Sequence, residues 1–280
     1  MKKVFIIGNG FDLNLGLPTS YSHFIQSDYF ALNLGKGLPL FDYLQNTSIH
    51  KRWVDVELEL VNYAKTNPDK DKFRKDYEKL RTELCEYIKN ISVSPKKETS
   101  AYKLISEFYT DDDAIISFNY TDVCEKILEE NNRKKNITYI HGLAKSNNII
   151  FGVHDNFDKE TKYPFLLKSH YTNTAGKEFT SLLSKADCFI FFGHSLGQTD
   201  HSYFQQFIGG SFLNSINSGK NLVFSYFMEE GRENLTSTLN NITMKQLGKL
   251  KQNMNYDDFD AANLQQMRCV MEKIFRNSNK

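Results

Sequence analysis

The chain has 280 residues, 40% hydrophobic and 14% aromatic, with 35 Lys and Arg against 34 Asp and Glu for a formal net charge of +1. This length and composition support a substantial buried core and exclude a disordered chain, and the near-zero charge gives no global field for nucleic acid or a membrane surface. No run of about 18 apolar residues is present to span a bilayer. The cysteines Cys85, Cys124, Cys188 and Cys269 form no Cys-x-x-Cys pair, which fits free thiols in a reducing cytoplasm.

In chain order, the β-branched and aromatic run Val4-Phe5-Ile6-Ile7 reads as a buried parallel strand over 3–7. It is too short for a signal peptide and runs directly into a turn, Gly8-Asn9-Gly10-Phe11-Asp12, where bare backbone can approach a phosphate-bearing ligand. The third glycine of a dinucleotide fingerprint is lacking, with Leu13 in its place and Asn14 and Leu15 following where a helix would open, so the Gly-x-Gly pair alone signals only a turn. Gly16-Leu17-Pro18-Thr19 follows. A long helical stretch comes next. In it Trp53, Val56 and Leu60 share one helical face, and Glu57 by itself reads as a solvated carboxylate of that helix. Tyr77, Leu80, Leu84, Tyr87 and Ile88 recur at helical spacing, and 92–99 reads as a linker.

Further strands are expected at 113–118, 137–140, 149–153, 187–192 and 221–227. The 113–118 strand ends in Asn119-Tyr120-Thr121-Asp122, where Thr121 or Asp122 suits an N-cap before Val123 to Glu130 and Asn119 lies at the strand mouth. The 137–140 strand ends in His141-Gly142, placing an imidazole that titrates near neutrality at a strand end. His154-Asp155, after 149–153, reads as a loop. The 187–192 strand ends in Gly193-His194-Ser195-Leu196-Gly197, a match to the Gly-x-Ser-x-Gly nucleophile elbow, but that elbow needs a histidine further along. The only one is His201, six residues on and badly placed to reach Ser195. His194, Asp200 and His201 do not share a helical face for a metal, and Asp200 reads as a helix N-cap that also meets a ribose. After 228 the pattern is mainly helical, with Met267, Val270, Met271 and Ile274 marking a core face.

Strands alternating with helical stretches predict an α/β fold: a Rossmann-like parallel sheet with helices on both faces. The expected organisation is a single domain over 1–280, with a helical insertion lobe at roughly 28–98 over the ligand crevice and a mainly helical C-terminal region.

The segment from Gly8 to Thr19 resembles, without a gap, the first NAD-binding motif of the sirtuin superfamily, Gly-Ala-Gly-Ile-Ser-x-x-x-Gly-Ile-Pro-Asp. With Ser20-Tyr21-Ser22-His23-Phe24 it is similar to the bacterial abortive-infection AbiH family. Ser117-Phe118-Asn119-Tyr120-Thr121 resembles the sirtuin Thr-Gln-Asn-Ile-Asp, His141-Gly142 the sirtuin His-Gly, and Gly193-His194-Ser195-Leu196 the sirtuin Gly-Thr-Ser-Leu, all in superfamily order. Trp53-x-Asp55-x-Glu57 matches a feature of the AbiH resemblance and implies that Glu57 faces the site as an additional catalytic carboxylate. The chain departs from the sirtuin pattern at Asp12, Thr19 and Tyr21, in Ser225-Tyr226 at the end of the 221–227 strand, and in lacking the cysteine-based zinc module.

The resemblance implies NAD or a related nucleotide as substrate or ligand, with no other cofactor and no metal. It implies nucleotide contacts from Gly8, Asn9, Gly10, Phe11, Asp12, Pro18, Thr19, Gly193, His194, Ser195 and Asp200. The glycine-turn amides would hold the pyrophosphate, Asn119 would position a water and His141 would handle a proton. The leading expectation is a cytoplasmic NAD glycohydrolase that cleaves the nicotinamide–ribose bond in phage defence, with a phage-derived trigger and a second copy of the chain as partners, and with neither membrane nor nucleic acid indicated. The alternatives are a non-catalytic sensor of NAD or ADP-ribose and, behind it, a serine hydrolase using Ser195.

Overall fold

The computed structural model describes residues 1–50, 55–153, 162–171, 175–205, 207–208 and 219–277. Among them, β1 (Lys3–Ile7), β2 (Ala114–Ser117), β3 (Ile137–Tyr139), β4 (Cys188–Phe192), β5 (Asn221–Tyr226) and β6 (Asn255–Asp260) form one parallel sheet in the order β3-β2-β1-β4-β5-β6. This is the doubly wound order, in which successive strands are added on one side of β1 and then, from β4, on the other, leaving a crevice at the carboxyl ends of β1 and β4.

The strands read as continuous apolar runs because both faces of the sheet are covered. Val4, Ile6, Ile116, Phe189, Phe191 and Phe224 pack on one face with Phe179, Leu183, Leu235 and Leu239 from the helices Ala175–Lys185 and Met228–Ile242. Phe5, Ile7, Ile115, Ile190, Phe192 and Val223 pack on the other with the helices Ser100–Phe108, Val123–Glu130 and Leu264–Asn277. Met267, Met271 and Ile274 are buried there, with Val270 partly buried, so that stripe is core.

Two strand expectations are corrected. Residues 149–153 form no strand; Val153 makes only an isolated bridge to Leu167, because this segment packs into the lobe rather than along a sheet edge. Conversely, Asn255–Asp260 pairs with β5 from Asn221↔Asn255 to Tyr226↔Asp260 although its sequence, NYDDFD, has no apolar run. As the edge strand it is anchored by the buried Phe259 on one face and the half-buried Tyr256 on the other, and its carboxylates stay partly exposed.

The strand boundary near 113 also has a physical cause. Asp113 is a clasp at the amino edge of the sheet: it accepts from Lys3 N and from Thr110 N and Oγ1, and its buried carboxylate pairs with the buried Lys3 Nζ at 2.8 Å.

Between β1 and β2 lie the helices Pro39–His50, Val56–Lys65 and Lys70–Lys89, with Asp55 and Asp69 as N-caps accepting from Leu58 N and Lys72 N. They share a core of Phe30, Phe41, Leu60, Phe73, Tyr77 and Leu84 with Ile149, Phe151 and Phe165. Tyr87 Oη donates to Pro18 O at 2.6 Å and Tyr77 Oη to Phe151 O, which seats this lobe over the carboxyl edge of the sheet. Trp53 and His154-Asp155 lie outside the described residues.

At the crevice the turn after β1 meets the turn after β4 backbone to backbone. Gly10 N donates to Gly193 O at 2.9 Å, and Gly8 N donates to Phe192 O at 3.1 Å. A Cβ on Gly10 would stand 2.6 Å from Gly193 Cα, and one on Gly193, whose φ is +66°, would stand 2.2 Å from Phe11 N. Gly193→Ala is therefore expected to destabilise the chain by at least ~2 kcal/mol, from the left-handed backbone and the clash together. Urea unfolding checks this, and an unchanged midpoint would refute the contact.

Candidate functional site

The parallel register brings Ile7, Ser117, Tyr139 and Phe192 to one edge, so the residues that follow β1, β2, β3 and β4 converge. They line a cavity of about 380 Å³ together with Tyr21 and the lobe residues Asp55, Glu57, Leu84 and Ile88. Of the residues singled out in the sequence, Gly8, Asn9, Gly10, Asp12, Thr19, Glu57, Asn119, His141, Gly193, His194, Ser195 and Asp200 all line it. Phe11 and Pro18 do not. The Phe11 ring is buried edge-on against Phe192, and Pro18 O is taken by Tyr87.

The glycine turn behaves differently from a phosphate cradle. The amides of Gly8, Gly10 and Phe11 are engaged by the carbonyls of Phe192, Gly193 and Gly8, so these three N–H groups hold the turn together. Thr19 Oγ1 donates to Asn9 Oδ1 at 2.6 Å and ties the Gly-Leu-Pro-Thr segment to the same turn.

One corner of the cavity is built on Asp12. Its Oδ1 accepts from Asn119 Nδ2 and its Oδ2 from Thr121 Oγ1, each at 2.7 Å. Asn119 Nδ2 also donates to Gly8 O at 3.1 Å. Both amide hydrogens are thus taken by acceptors, which fixes the side chain's orientation and leaves Asn119 Oδ1 buried with no hydrogen-bond partner. Burial pushes the Asp12 carboxyl up to about 7, against the opposing hydrogen bonds from Thr121 and Asn119.

The opposite corner holds a buried ionic network. His141 Nε2 and Lys168 Nζ each lie 2.8 Å from Asp200 Oδ1, and Lys168 Nζ reaches Glu57 Oε2 at 3.1 Å. Glu57 Oε1 accepts from Gly152 N at 3.2 Å. Since Asp200 Oδ1 is an acceptor, His141 carries its proton on Nε2 and a lone pair on Nδ1 in the neutral ring. That Nδ1 is the second buried polar atom without a partner. Burial alone would raise Asp200, but the Lys168 ammonium and the His141 contact hold its carboxyl well below the usual range. Burial raises Glu57 in spite of Lys168.

The carboxylate of Asp200 is thus used by side chains in space, and the residue itself closes the short turn Gln198–Asp200 ahead of the helix His201–Phe204. His194 Nδ1 accepts from Leu196 N at 2.9 Å, so its proton sits on Nε2, 3.9 Å from Asp200 Oδ2. Burial brings His194 down to about 4 and keeps it neutral. Asp122 occupies an N-cap position, but its carboxylate pairs with Lys126 and Lys145 instead of capping.

Ser195 sits exposed at the rim. The left-handed residues of this turn are Gly193 and Leu196, with φ +66° and +54°, rather than Ser195, and among the described residues no hydrogen bond joins Ser195 to a histidine. Both observations disfavour a nucleophile elbow, whose strained position is the serine. The His201 side chain lies outside the described residues. Among the described residues no group of His, Cys, Asp and Glu is arranged to hold a metal ion, and no helix is long and apolar enough to cross a membrane.

Among known families the chain matches the model described as Bacteriophage abortive infection AbiH, over residues 4–79 and 62–218. The chain belongs to the AbiH family. The match runs from β1 past β4 and so includes every element that lines the cavity of this AbiH chain. No curated protein and no solved structure matches it.

Sequence reasoning missed Lys168. It follows no motif and comes from a short turn, Lys168–His170, held beside Val153 by Lys168 N donating to Val153 O at 2.8 Å. Only the fold places it between two carboxylates.

The raised Asp12 carboxyl has a signed consequence. The folded state binds its proton more tightly than the unfolded chain, so this group's stabilising contribution is present below pH 3.8 and is lost as pH rises to about 7. In urea unfolding, the stability of Asp12→Asn relative to wild type is expected to rise across that window, by on the order of 4 kcal/mol. A pH-independent difference would refute the buried titration.

Proposed function

We propose that this AbiH-family chain is a cytoplasmic NAD hydrolase that cleaves the nicotinamide–ribose bond, and that it acts in abortive infection by removing NAD from the infected cell. The observation that carries this reading is the pair of buried, unpartnered acceptors, Asn119 Oδ1 and His141 Nδ1, on the wall of a cavity at the β1/β4 switch point. Buried polar atoms are almost always paired, so two orphans in one cavity call for a ligand or water that brings O–H donors. A nucleotide ribose and an attacking water bring such donors.

In this reading Asn119 Oδ1 orients the water toward the anomeric carbon while the C–N bond to the ring breaks. The ring departs as neutral nicotinamide with the bonding electron pair, the water oxygen bonds to the ribose carbon, and the water proton passes to His141 Nδ1 and then to solvent, leaving ADP-ribose. Positive charge develops on the ribose during departure. The cavity lining suits it: Asp12, Asp55, Glu57 and Asp200 are all there, and no Lys or Arg is among the lining residues. The same lining favours the cationic pyridinium ring of NAD. With three glycine-turn amides engaged, the turn serves here as a wall that shapes the cavity.

Incubation with NAD should release free nicotinamide, in purified protein or, where a phage-derived trigger is required, in lysate of phage-infected cells. Asn119→Ala and His141→Ala are each expected to lower that release by on the order of 100-fold or more in chains that remain folded, and Asn119→Ala also lowers the melting temperature because Asp12 Oδ1 and Gly8 O each lose a buried donor. Tight binding of NAD or ADP-ribose without release under either condition would make the chain a sensor and end the hydrolase reading. Stoichiometric fluorophosphonate labelling at Ser195 would do the same in favour of a serine hydrolase.

A further inference from the structure

Lys168 touches the lobe and both halves of the sheet's crevice, through Glu57, His141 and Asp200, and no motif assigns it a role. Its ammonium is buried and donates to Glu57 Oε2 of the lobe, to Asp200 Oδ1 after β4 and to Thr199 O at 3.4 Å, which accounts for its three hydrogens. No donor is left over for a substrate, so any part it plays is through its neighbours.

The neighbour that matters is Asp200 Oδ1, shared at 2.8 Å with His141 Nε2, while Lys168 Nζ itself stands 3.5 Å from that nitrogen. We propose that Lys168 is a positioning residue that acts through Asp200 on His141: it offsets the carboxylate's charge, so that the imidazole stays neutral and Nε2-protonated and keeps its Nδ1 lone pair toward the cavity. The titratable and charged groups around the ring support this balance. Asp200 comes from the β4 side, Glu57 from the lobe and Lys168 from the segment beside Val153. His194, held neutral, comes from the β4 turn, with the edges of Phe118 and Tyr203 completing the surround. Two carboxylates face one ammonium. Without that ammonium they would both favour imidazolium, which has no lone pair to accept a proton.

The inference rests on the hydrolase reading for its consequence, but its test does not. In full-length chain labelled with nitrogen-15, the His141 imidazole signals are assigned by their loss in His141→Gln. Lys168→Met is expected to give more imidazolium at His141 than wild type at the same pH, and to move the acid limb of nicotinamide release upward by on the order of 1 pH unit. Lys168→Gln keeps a donor for Asp200 without the charge and is expected to behave alike, so it serves if Lys168→Met loses its fold. A folded variant whose His141 signals match wild type overturns the proposal. Unfolding of both variants would make Lys168 a structural pin and overturn it equally. Signals that respond in a chain that releases no nicotinamide would end the hydrolase reading and leave this inference standing.

Discussion

The site depends on a backbone contact that only glycine permits. The turn after β1 and the turn after β4 approach until Gly10 N meets Gly193 O, with Gly193 in a left-handed conformation. Side chains at Gly8, Gly10 or Gly193 would each meet main-chain atoms at 2.8 Å or less. The contact closes the switch point of the sheet at its base, so that Asp12, in the short helix Asn9–Asn14 after β1, and His194, one residue past Gly193, face a common space. The glycines that look from sequence like a cradle for phosphate act first as the means by which two strand ends touch.

On that base stand two polar corners of different character. Around Asp12, neutral donors from Asn119 and Thr121 satisfy a carboxyl that burial makes easy to protonate. Around Asp200, a lysine and a histidine hold a carboxylate firmly ionised. Two acids that line one cavity are therefore pushed in opposite directions, a division typical of sites that handle protons. The Lys168 network also joins the lobe to the sheet through Glu57. A buried ion pair of this kind contributes little net stability, because desolvation offsets its attraction. Its effect is to fix which groups face the cavity.

Much of the site was legible in the chain because strand ends announce themselves. A run of buried apolar residues followed at once by a polar one, as at Phe118-Asn119 and Ile140-His141, marks a side chain at the carboxyl edge of a sheet, where ligands bind. Glu57 was legible only through resemblance, since its helix carries other acids at similar spacing. Lys168 was not legible at all, because a lysine in a short turn carries no periodicity, and its partners lie 111 and 32 residues away. The expected strand at 149–153 and the missed strand at Asn255–Asp260 share one cause. Alternation and apolar content report burial, and burial can be met in a lobe as well as in a sheet, whereas an edge strand is recruited by its neighbour's free backbone groups whatever its side chains are.

The sequence by itself determined the α/β class, the parallel character of the central strands, the helical lobe between β1 and β2, and the residues at four strand mouths. These follow from local patterns: apolar runs, helical spacing and glycine at a turn. Tertiary structure decided the strand order, the engagement of the glycine-turn amides, the sharing of Asp200 between His141 and Lys168, and which two buried acceptors were left without partners. Each of these depends on which atoms meet across long stretches of chain, and hydrogen-bond satisfaction is a property of that meeting rather than of any residue alone.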